Sequence, residues 1–286
     1  MYPFTANDRF KIRTYRGRLV EAKKAAESQK LADRIMARMI DILAVQEVED
    51  IDTLRHFNRV NLNGLYPHAI LVEGNDPRLI DIGLLSQLPI GGITSWQEAV
   101  HPDAPGEKVF GRDLLEVQIL SSTRSRVLFT LFNNHLKSHY VDYRDDPVAG
   151  EEANSIRRRR QSEIVAKIVK ARTRPGSKFV ILGDMNDPPD SPDLAPFIQD
   201  AELNLTNALA NPTETRPAKA DTPPPPGPAW THRYKPRGKP AQYELLDQIW
   251  LSASLANKQT GAWIDRRTKH GGDGSDHDPA WIEVDL

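Results

Sequence analysis

Short apolar segments typical of buried strands alternate along the chain with longer segments of helical periodicity. In the segment 17–40, Leu31, Ile35 and Met39 recur every four residues with charged residues between them, which predicts a helix. Helices are also predicted at 53–62 and 156–172, and strands at 42–45, 69–72, 80–85, 114–120, 127–132, 179–182, 248–251 and 281–284. Hairpin-like strand pairs mixed with helices favour an α/β fold in which sheets pack between helices.

Length and charge narrow the possible functions. Strand candidates on both sides of the Pro-rich segment 211–242 are needed to complete a sheet, so we predict one domain over residues 1–286. The 38 basic residues are balanced by 39 acidic ones, which leaves a net charge of −1 and argues against a polybasic nucleic-acid binder. Any positive patch therefore has to be local. The absence of cysteine excludes disulfides, thiolate metal sites and a cysteine nucleophile.

No segment has the sequence character of a membrane anchor or a secretory leader. No apolar run reaches the roughly 18 residues that a membrane span needs, and residues 1–14 lack the apolar core of a signal peptide. We therefore expect a soluble protein without a membrane partner, and separately we expect a monomer, although the sequence does not fix the oligomeric state. Its compartment is left open: cytoplasmic by default, and secreted if the N-terminus is truncated.

Polar side chains of the kinds that enzymes use adjoin the ends of several predicted strands. They are Gln46-Glu47, Asn133-Asn134-His135, Gly183-Asp184-Met185-Asn186, Asp247 and Ser275-Asp276-His277. Because strands hold such loops rigidly while the loops supply polar groups, these side chains are candidates for one active site.

Each motif, taken alone, also has a purely structural interpretation. Glu47 suits a solvated carboxylate, and His135 suits a hydrogen-bonded structural histidine. The Gly-Asp-x-Asn sequence before Pro188 suits a turn, as does the polar stretch 275–277. The occurrence of all the motifs in one chain is what favours a functional site.

Taken together and in order, these motifs resemble the endonuclease/exonuclease/phosphatase superfamily, which includes deoxyribonuclease-I-like nucleases. The resemblance extends from about residue 30 to the C-terminus. The segments 80–86 and 133–138 further resemble bacterial members of the nuclease-like branch. The resemblance implies a four-layer α/β sandwich, in which two mixed sheets lie face to face with helices outside.

The resemblance also implies a role for each motif. Glu47 and Asp276 would hold Mg²⁺ or Mn²⁺, for which hard oxygen ligands are suited. Asp184 would accept a proton from the attacking water, which Asn186 would orient. His277 would contact a phosphate oxygen with its ring held by Asp247. His135 would contact the phosphate from the other side.

Several further residues are candidate substrate contacts. Arg78 and Lys137 would clamp phosphate, with Asn134 beside them. Within the Pro-rich segment 211–242, predicted to be a long loop, Trp230 and Tyr234 lie among cationic residues, which suits a nucleic-acid groove. Aromatic side chains packed on the sheet are an equally good interpretation. The arginine run 157–160 suits a solvated helix start and could add positive charge.

One departure from the superfamily pattern concerns the first strand. The superfamily opens with a strand that ends in a metal-site Asn, and residues 1–13 contain no such apolar strand. Asn7 is a poor substitute because its surroundings are polar. Truncation or a late assigned start would explain this departure, and a real loss would weaken metal binding.

The sequence therefore predicts a metal-dependent nuclease that cleaves phosphodiester bonds of a nucleic-acid substrate by in-line attack of water. A phospholipid or sugar-phosphate phosphoesterase is the alternative within enzymes. A non-catalytic phosphate or nucleic-acid binding module is the alternative outside them. DNA and RNA, and endo- and exo-cleavage, are not distinguished.

Overall fold

A computed structural model describes residues 13–15, 18–20, 23–215, 229–236, 238–266 and 274–286. Its helices are α1 (Ala25–Met36), α2 (Ile51–Val60), α3 (Pro147–Arg172), α4 (Ala195–Ile198) and α5 (Ala253–Ala256). Its first nine strands are β1 (Arg13–Tyr15), β2 (Arg18–Val20), β3 (Ile42–Val48), β4 (His68–Leu71), β5 (Asp81–Ser86), β6 (Ile90–Ser95), β7 (Val100–His101), β8 (Ala104–Lys108) and β9 (Leu114–Leu120). The others are β10 (Val127–His135), β11 (Phe179–Asp184), β12 (Thr206–Asn207), β13 (Thr213–Thr215), β14 (His232–Tyr234), β15 (Gln242–Glu244), β16 (Asp247–Leu251), β17 (Gln259–Asp265) and β18 (Ala280–Val284).

A six-stranded mixed sheet with the order β12-β16-β11-β10-β9-β6 forms one inner layer of the fold. Its central strands β10 and β11 are parallel, and β16 runs antiparallel to β11. Alternate side chains point to opposite faces, so Leu131 packs in the core between the sheets while Phe132 packs under the long helix α3. The register aligns His135 with Asp184 and Asp184 with Asp247, so three polar strand ends meet at one edge.

The other inner layer consists of two three-stranded sheets, β3-β5-β4 and β13-β17-β18. Ile82 and Leu84 of β5 pack against Val117 and Leu131 of the six-stranded sheet. The helices α1 and α2 cover the outer face of this layer through Ile35, Leu54 and their neighbours. Helix, sheet, sheet and helix are thus stacked in order, which confirms the predicted α/β sandwich.

A cavity of about 1610 Å³ opens between the two three-stranded sheets and reaches the polar strand ends. Ala44 of β3 and Ile282 of β18 both line it, and both strands are edge strands of their sheets among the described residues. Residues 1–12 lie outside the described residues, so the absence of an Asn-ending first strand stays a prediction.

The helix predicted over 17–40 is wrong at both ends. Arg18–Val20 is a strand paired with Arg13–Tyr15, and helix α1 begins only at Ala25. It ends at Met36, and Met39 has a left-handed backbone with φ of 48° and is 80% exposed. The spacing of Leu31 and Ile35 correctly predicts the inward face of α1. The same spacing extended to Met39 fails, because the helix has ended and Met39 is exposed.

The Pro-rich segment 211–242 is not a loop throughout. Thr213–Thr215 pairs in parallel with β17, and β14 forms a hairpin with β15. These short strands carry few apolar residues and depend on partners distant in sequence, so local periodicity does not reveal them. Residues 216–228, which include the four consecutive prolines, lie outside the described residues.

The arginine run 157–160 is not a helix start, because α3 begins at Pro147. The Asp146 side chain caps the helix by accepting hydrogen bonds from the backbone N–H groups of Val148 and Ala149. Arg158 lies in mid-helix, is 1% exposed and pairs with Asp187 and Asp193 at 2.8 Å each. It ties the loop after β11 to α3, so it does not belong to a surface patch.

Candidate active site

Asp184 ends β11 and Asn186 lies in the tight turn that follows, and the backbone before this turn requires glycine at position 183. Gly183 has φ of 133°, and a Cβ there would lie 1.8 Å from the carbonyl oxygen of Asn134. Asn186 has φ of 53°, and its backbone N–H donates to Asp184 Oδ1 at 2.8 Å. The Asn186 amide donates to the Leu136 carbonyl at 3.0 Å, which joins the ends of β10 and β11. Both side chains line the cavity.

His277 forms a short charged pair with Asp247 beside this turn. Its Nδ1 lies 2.6 Å from Asp247 Oδ2, and the Asp247 backbone N–H donates to Thr231 Oγ1 at 3.0 Å. Burial alone would lower the pKa of His277, but the charge of Asp247 and the hydrogen bond to it raise that pKa to about 10. The ring is therefore an imidazolium at neutral pH.

Asp184 lies between this cation and a neutral histidine. Burial, and then the charge of Asp247, raise the pKa of Asp184 to about 7. His135 Nε2 lies 3.4 Å from Asp184 Oδ2. Burial and then the charge of Arg112 lower the pKa of His135 well below its usual value, so its ring is neutral. Asp184 thus has the pKa of a base that works near neutrality.

Glu47 reaches the same cavity through a β-bulge in β3. The pairing of β3 with β5 shifts between Val45 and Val48, and Glu47 takes a left-handed conformation with φ of 57°. The bulge exposes its carboxylate, and Asp276 on the facing turn is also exposed; both line the cavity. Exposed carboxylate oxygens are the kind of ligand that a hard divalent cation prefers, with water in the rest of its shell.

Two groups of side chains in the described ranges have ligand atoms within 4.8 Å of one another. One group is Asp184, Asp247 and His277, and the other is His232, Asp276 and His277. Glu47 belongs to neither group, although its charge acts on the pKa of Asp184 and of Arg112. The two groups share His277 and together contain five side chains.

Arg78 lies at the rim of the cavity and is held by a carboxylate. Its guanidinium donates twice to Asp76, at 3.1 and 3.0 Å. Asp76 also forms an ion pair with buried Arg112 at 3.0 Å, and the Arg112 guanidinium donates a hydrogen bond to the Leu136 carbonyl. Two cations thus share one carboxylate, and the charges of Glu47 and Asp184 also act on Arg112.

Lys137 and Asn134 are not among the residues that line the cavity. The Lys137 ammonium donates to the carbonyls of Ser138 and Tyr140, and burial followed by the charge of Arg112 lowers its pKa to about 8. Asn134 is completely buried, and its amide donates to the Leu182 carbonyl at 2.9 Å. In this arrangement both side chains support the loop and the strands, and their contact with a substrate stays a prediction.

The two predicted stacking aromatics differ in their exposure. Trp230 is 6% exposed, and the Arg266 guanidinium lies 3.7 Å from its ring centre, so the prediction of a base stacked on Trp230 is wrong. The packing interpretation holds for this side chain. Tyr234 is 54% exposed and lines the cavity.

Sequence reasoning missed Arg112 and the contact of His232 with His277; Arg112 and His232 both line the cavity. Arg112 directly precedes the β9 region in the sequence Gly111-Arg112-Asp113, so the rule applied to other strand ends would have found it. His232 begins β14, inside the segment read as a loop, and forms a β-bridge with His277. No local pattern signals that contact.

The arrangement of these strand ends has a counterpart in a known family. The sequence model of the Endonuclease/Exonuclease/phosphatase family matches residues 17–277. The chain therefore belongs to that family. No curated protein sequence is significantly similar to the chain.

Several solved structures share the fold. An AP endonuclease from Archaeoglobus fulgidus superposes with a TM-score of 0.61 at 15% identity, covering 91% of this chain and 95% of that one. A 3′ phosphatase from Neisseria bound to a product DNA hairpin gives 0.58 at 17% identity, over 89% and 93%. A mannosyl-6-phosphatase from Bacteroides thetaiotaomicron gives 0.58 at 14% identity, over 91% of each chain. At these identities the likeness concerns the fold alone.

Across the described residues, no helix has both the length and the apolar character to span a bilayer. The 26-residue helix α3 is long enough, but it carries a run of arginines.

Proposed function

We propose that the protein is a divalent-metal-dependent phosphoesterase, and that its substrate is a nucleic-acid phosphodiester. The observation that carries this proposal is the cluster of Asp184, Asp247 and His277, whose ligand atoms lie within 4.8 Å of one another. It combines a base of raised pKa with a cation of raised pKa. A carboxylate base beside an imidazolium can combine proton transfer with electrostatic stabilisation of a phosphoryl group.

The roles of the side chains follow from these charges. Asp184 accepts the proton of the attacking water, which the Asn186 amide orients from the same turn. The His277 imidazolium donates a hydrogen bond to a phosphoryl oxygen, where negative charge develops, and Asp247 keeps the ring charged and aligned. Neutral His135 lies against the other side of Asp184 and can only supply a neutral hydrogen bond.

Glu47 and Asp276 would hold Mg²⁺ or Mn²⁺, because their exposed carboxylates open onto the cavity. When bound, the cation would neutralise charge on the phosphoryl oxygens. Arg78 and Arg112 also line the cavity and add fixed positive charge to it.

The choice of nucleic acid rests on the exposed aromatic residues at the cavity. Tyr140 is 67% exposed and Tyr234 is 54% exposed, and both line the cavity. Exposed aromatic rings beside cations stack bases without sequence preference. A DNA-bound 3′ phosphatase and an AP endonuclease share the fold, which is compatible with such a substrate.

The test is a hydrolysis panel with Mg²⁺ or Mn²⁺ and with a chelator. It contains plasmid DNA, single-stranded RNA, a simple aryl phosphodiester and mannose 6-phosphate. We expect metal-dependent cleavage of a nucleic acid by the wild type and near-complete loss in Glu47→Gln. Asp190→Asn serves as the control, because Asp190 is an exposed carboxylate of the loop after β11 that does not line the cavity. Equal cleavage by wild type and Glu47→Gln would contradict the proposal.

A sugar-phosphate monoesterase is the second candidate, and the buried position of Trp230 favours it. Its burial removes one of the two aromatic side chains predicted to stack bases. Release of phosphate from mannose 6-phosphate without cleavage of any polynucleotide in the panel would establish this alternative. A thermal shift induced by Mg²⁺ without hydrolysis of any substrate would indicate a binding module.

A further inference from the structure

A second imidazole lies directly against the catalytic histidine proposed above. His232 and His277 form a β-bridge, so the backbone fixes their separation. Their ring centres lie 4.8 Å apart with the planes tilted by 38°. His232 is half-buried and lines the cavity, and its charge also acts on the pKa of Asp247. The mechanism proposed above makes no use of this residue.

Asp276 is the third member of a group with the two histidines. The ligand atoms of His232, Asp276 and His277 lie within 4.8 Å of one another. Ligand atoms around one Zn²⁺ lie roughly 3–4 Å apart, because Zn–N bonds are about 2.0–2.1 Å long. Small side-chain rotations would therefore close the group around a single ion.

The contact of His277 Nδ1 with Asp247 leaves the other ring nitrogen, Nε2, available to a metal ion. Asp247 Oδ2 accepts from Nδ1 at 2.6 Å, so the Nε2 edge is the one that a metal would bind. Histidines that bind metals commonly have their other ring nitrogen held by a carboxylate in this way. The Asp247–His277 pair thus already has the geometry of an oriented ligand.

We propose that His232, Asp276 and His277 bind a divalent transition-metal ion of the Zn²⁺ class. Two imidazole nitrogens and one carboxylate suit Zn²⁺, Co²⁺ or Fe²⁺, whereas Mg²⁺ prefers oxygen ligands alone. On binding, the ion takes the place of the Nε2 proton of His277, which passes to solvent.

This ion would inhibit hydrolysis, a consequence that rests on the proposed function. His277 bound through Nε2 has no proton to donate to a phosphoryl oxygen, and Asp276 is withdrawn from the Mg²⁺ site. Submillimolar Zn²⁺ should therefore inhibit the Mg²⁺-supported reaction. The binding itself is independent of any hydrolytic activity.

The test measures binding directly. Zn²⁺ is titrated into the full-length, chelator-treated protein by calorimetry, and Co²⁺ binding is followed by its visible absorption bands. His232→Phe retains a ring against His277 and removes the nitrogens, and His232→Gln is a second variant in case the first does not fold. His56→Gln, on helix α2 and away from the cavity, is the matched control.

We expect stoichiometric Zn²⁺ binding by the wild type and by His56→Gln, and a loss of affinity of at least roughly tenfold in folded His232 variants. Equal affinity in wild type and His232 variants would overturn the proposal, as would the absence of stoichiometric binding by the wild type. If Zn²⁺ binds through His232 but no phosphoester is hydrolysed, the metal site stands and the proposed function fails.

Discussion

The two histidines that flank Asp184 have opposite charge states. His135, at the end of β10, is 3% exposed and faces Arg112 and Arg78, which together with burial keep its ring neutral. His277, in the turn before β18, faces the carboxylates of Asp247 and Asp184, which keep its ring charged. The same residue type therefore performs different chemistry because of its neighbours.

Because only His277 is charged, we expect His277 and not His135 to stabilise the negative charge that develops on the phosphoryl group. A charged donor beside developing phosphoryl charge stabilises a transition state far more than a neutral donor does. The two sides can be compared through variants that remove one group at a time.

Loss of the base between the two histidines should have the largest effect. Asp184→Asn keeps the shape of the side chain but removes the proton acceptor, so we expect kcat to fall on the order of 10³–10⁴-fold. The measurement is steady-state hydrolysis of an aryl phosphodiester with saturating Mg²⁺. Asp190→Asn should keep the wild-type rate, and a comparable rate in Asp184→Asn would remove Asp184 from the mechanism.

The two histidines should then differ in their effect on the rate. We expect His277→Gln to lower kcat roughly 10²–10³-fold, as the loss of a preorganised charged donor does. His135→Gln should lower it only about tenfold, since it removes one neutral hydrogen-bond partner. An equal fall in kcat in the two variants would show that the charge difference between the two histidines does not affect the rate.

Much of the site could be predicted from sequence because its residues directly adjoin apolar runs. Asp184 and Asp247 each lie beside a strand that the pattern identifies, and the pairing of β11 with β16 brings them together. His277 lies in the turn before β18, which belongs to another sheet. Strand bounds were predicted unevenly, since β3 and β10 each extend three residues beyond their predicted ends and β6 and β17 were not predicted. The 114–120 strand matches its observed bounds.

The remaining features depend on contacts that no local pattern contains. Arg158 looks solvated in a run of arginines, but Asp187 and Asp193 from another loop bury it. Trp230 looks like a stacking platform, but Arg266, which lies 36 residues further along the chain, covers its face. In both cases a charged side chain that is distant in sequence determines whether the residue is buried.

A smaller effect is expected on substrate binding at the rim. Tyr234→Ala should raise KM for a single-stranded oligonucleotide roughly tenfold, because it removes one stacking surface, and should affect a small aryl diester much less. Tyr143→Ala is the matched control, since Tyr143 is 84% exposed and does not line the cavity. The same increase in KM for both substrates would argue against base stacking on Tyr234.

The smallest expected effect is on stability. Because the pKa of His277 is raised to about 10, its pairing stabilises the fold fully below about pH 6.5, the ordinary histidine value, and this contribution is lost as the pH rises to about 10. The free energy of unfolding of chelator-treated wild type should therefore fall relative to that of Asp247→Asn across this window.

Urea denaturation at several pH values measures the difference between these two proteins. Lys137, whose pKa is lowered to about 8, contributes a slope of opposite sign, but it is present in both proteins and cancels in the difference. A pH-independent difference would show that Asp247 does not hold the charge on His277.

The most direct test of the account is the titration of both rings in the metal-free protein by NMR of the imidazole nitrogens. His135→Gln and His277→Gln identify the two signals. We expect His277 to stay protonated until about pH 10 and the pKa of His135 to lie well below 6.5. If both rings titrated together near pH 6.5, the division of charge across Asp184 would be contradicted.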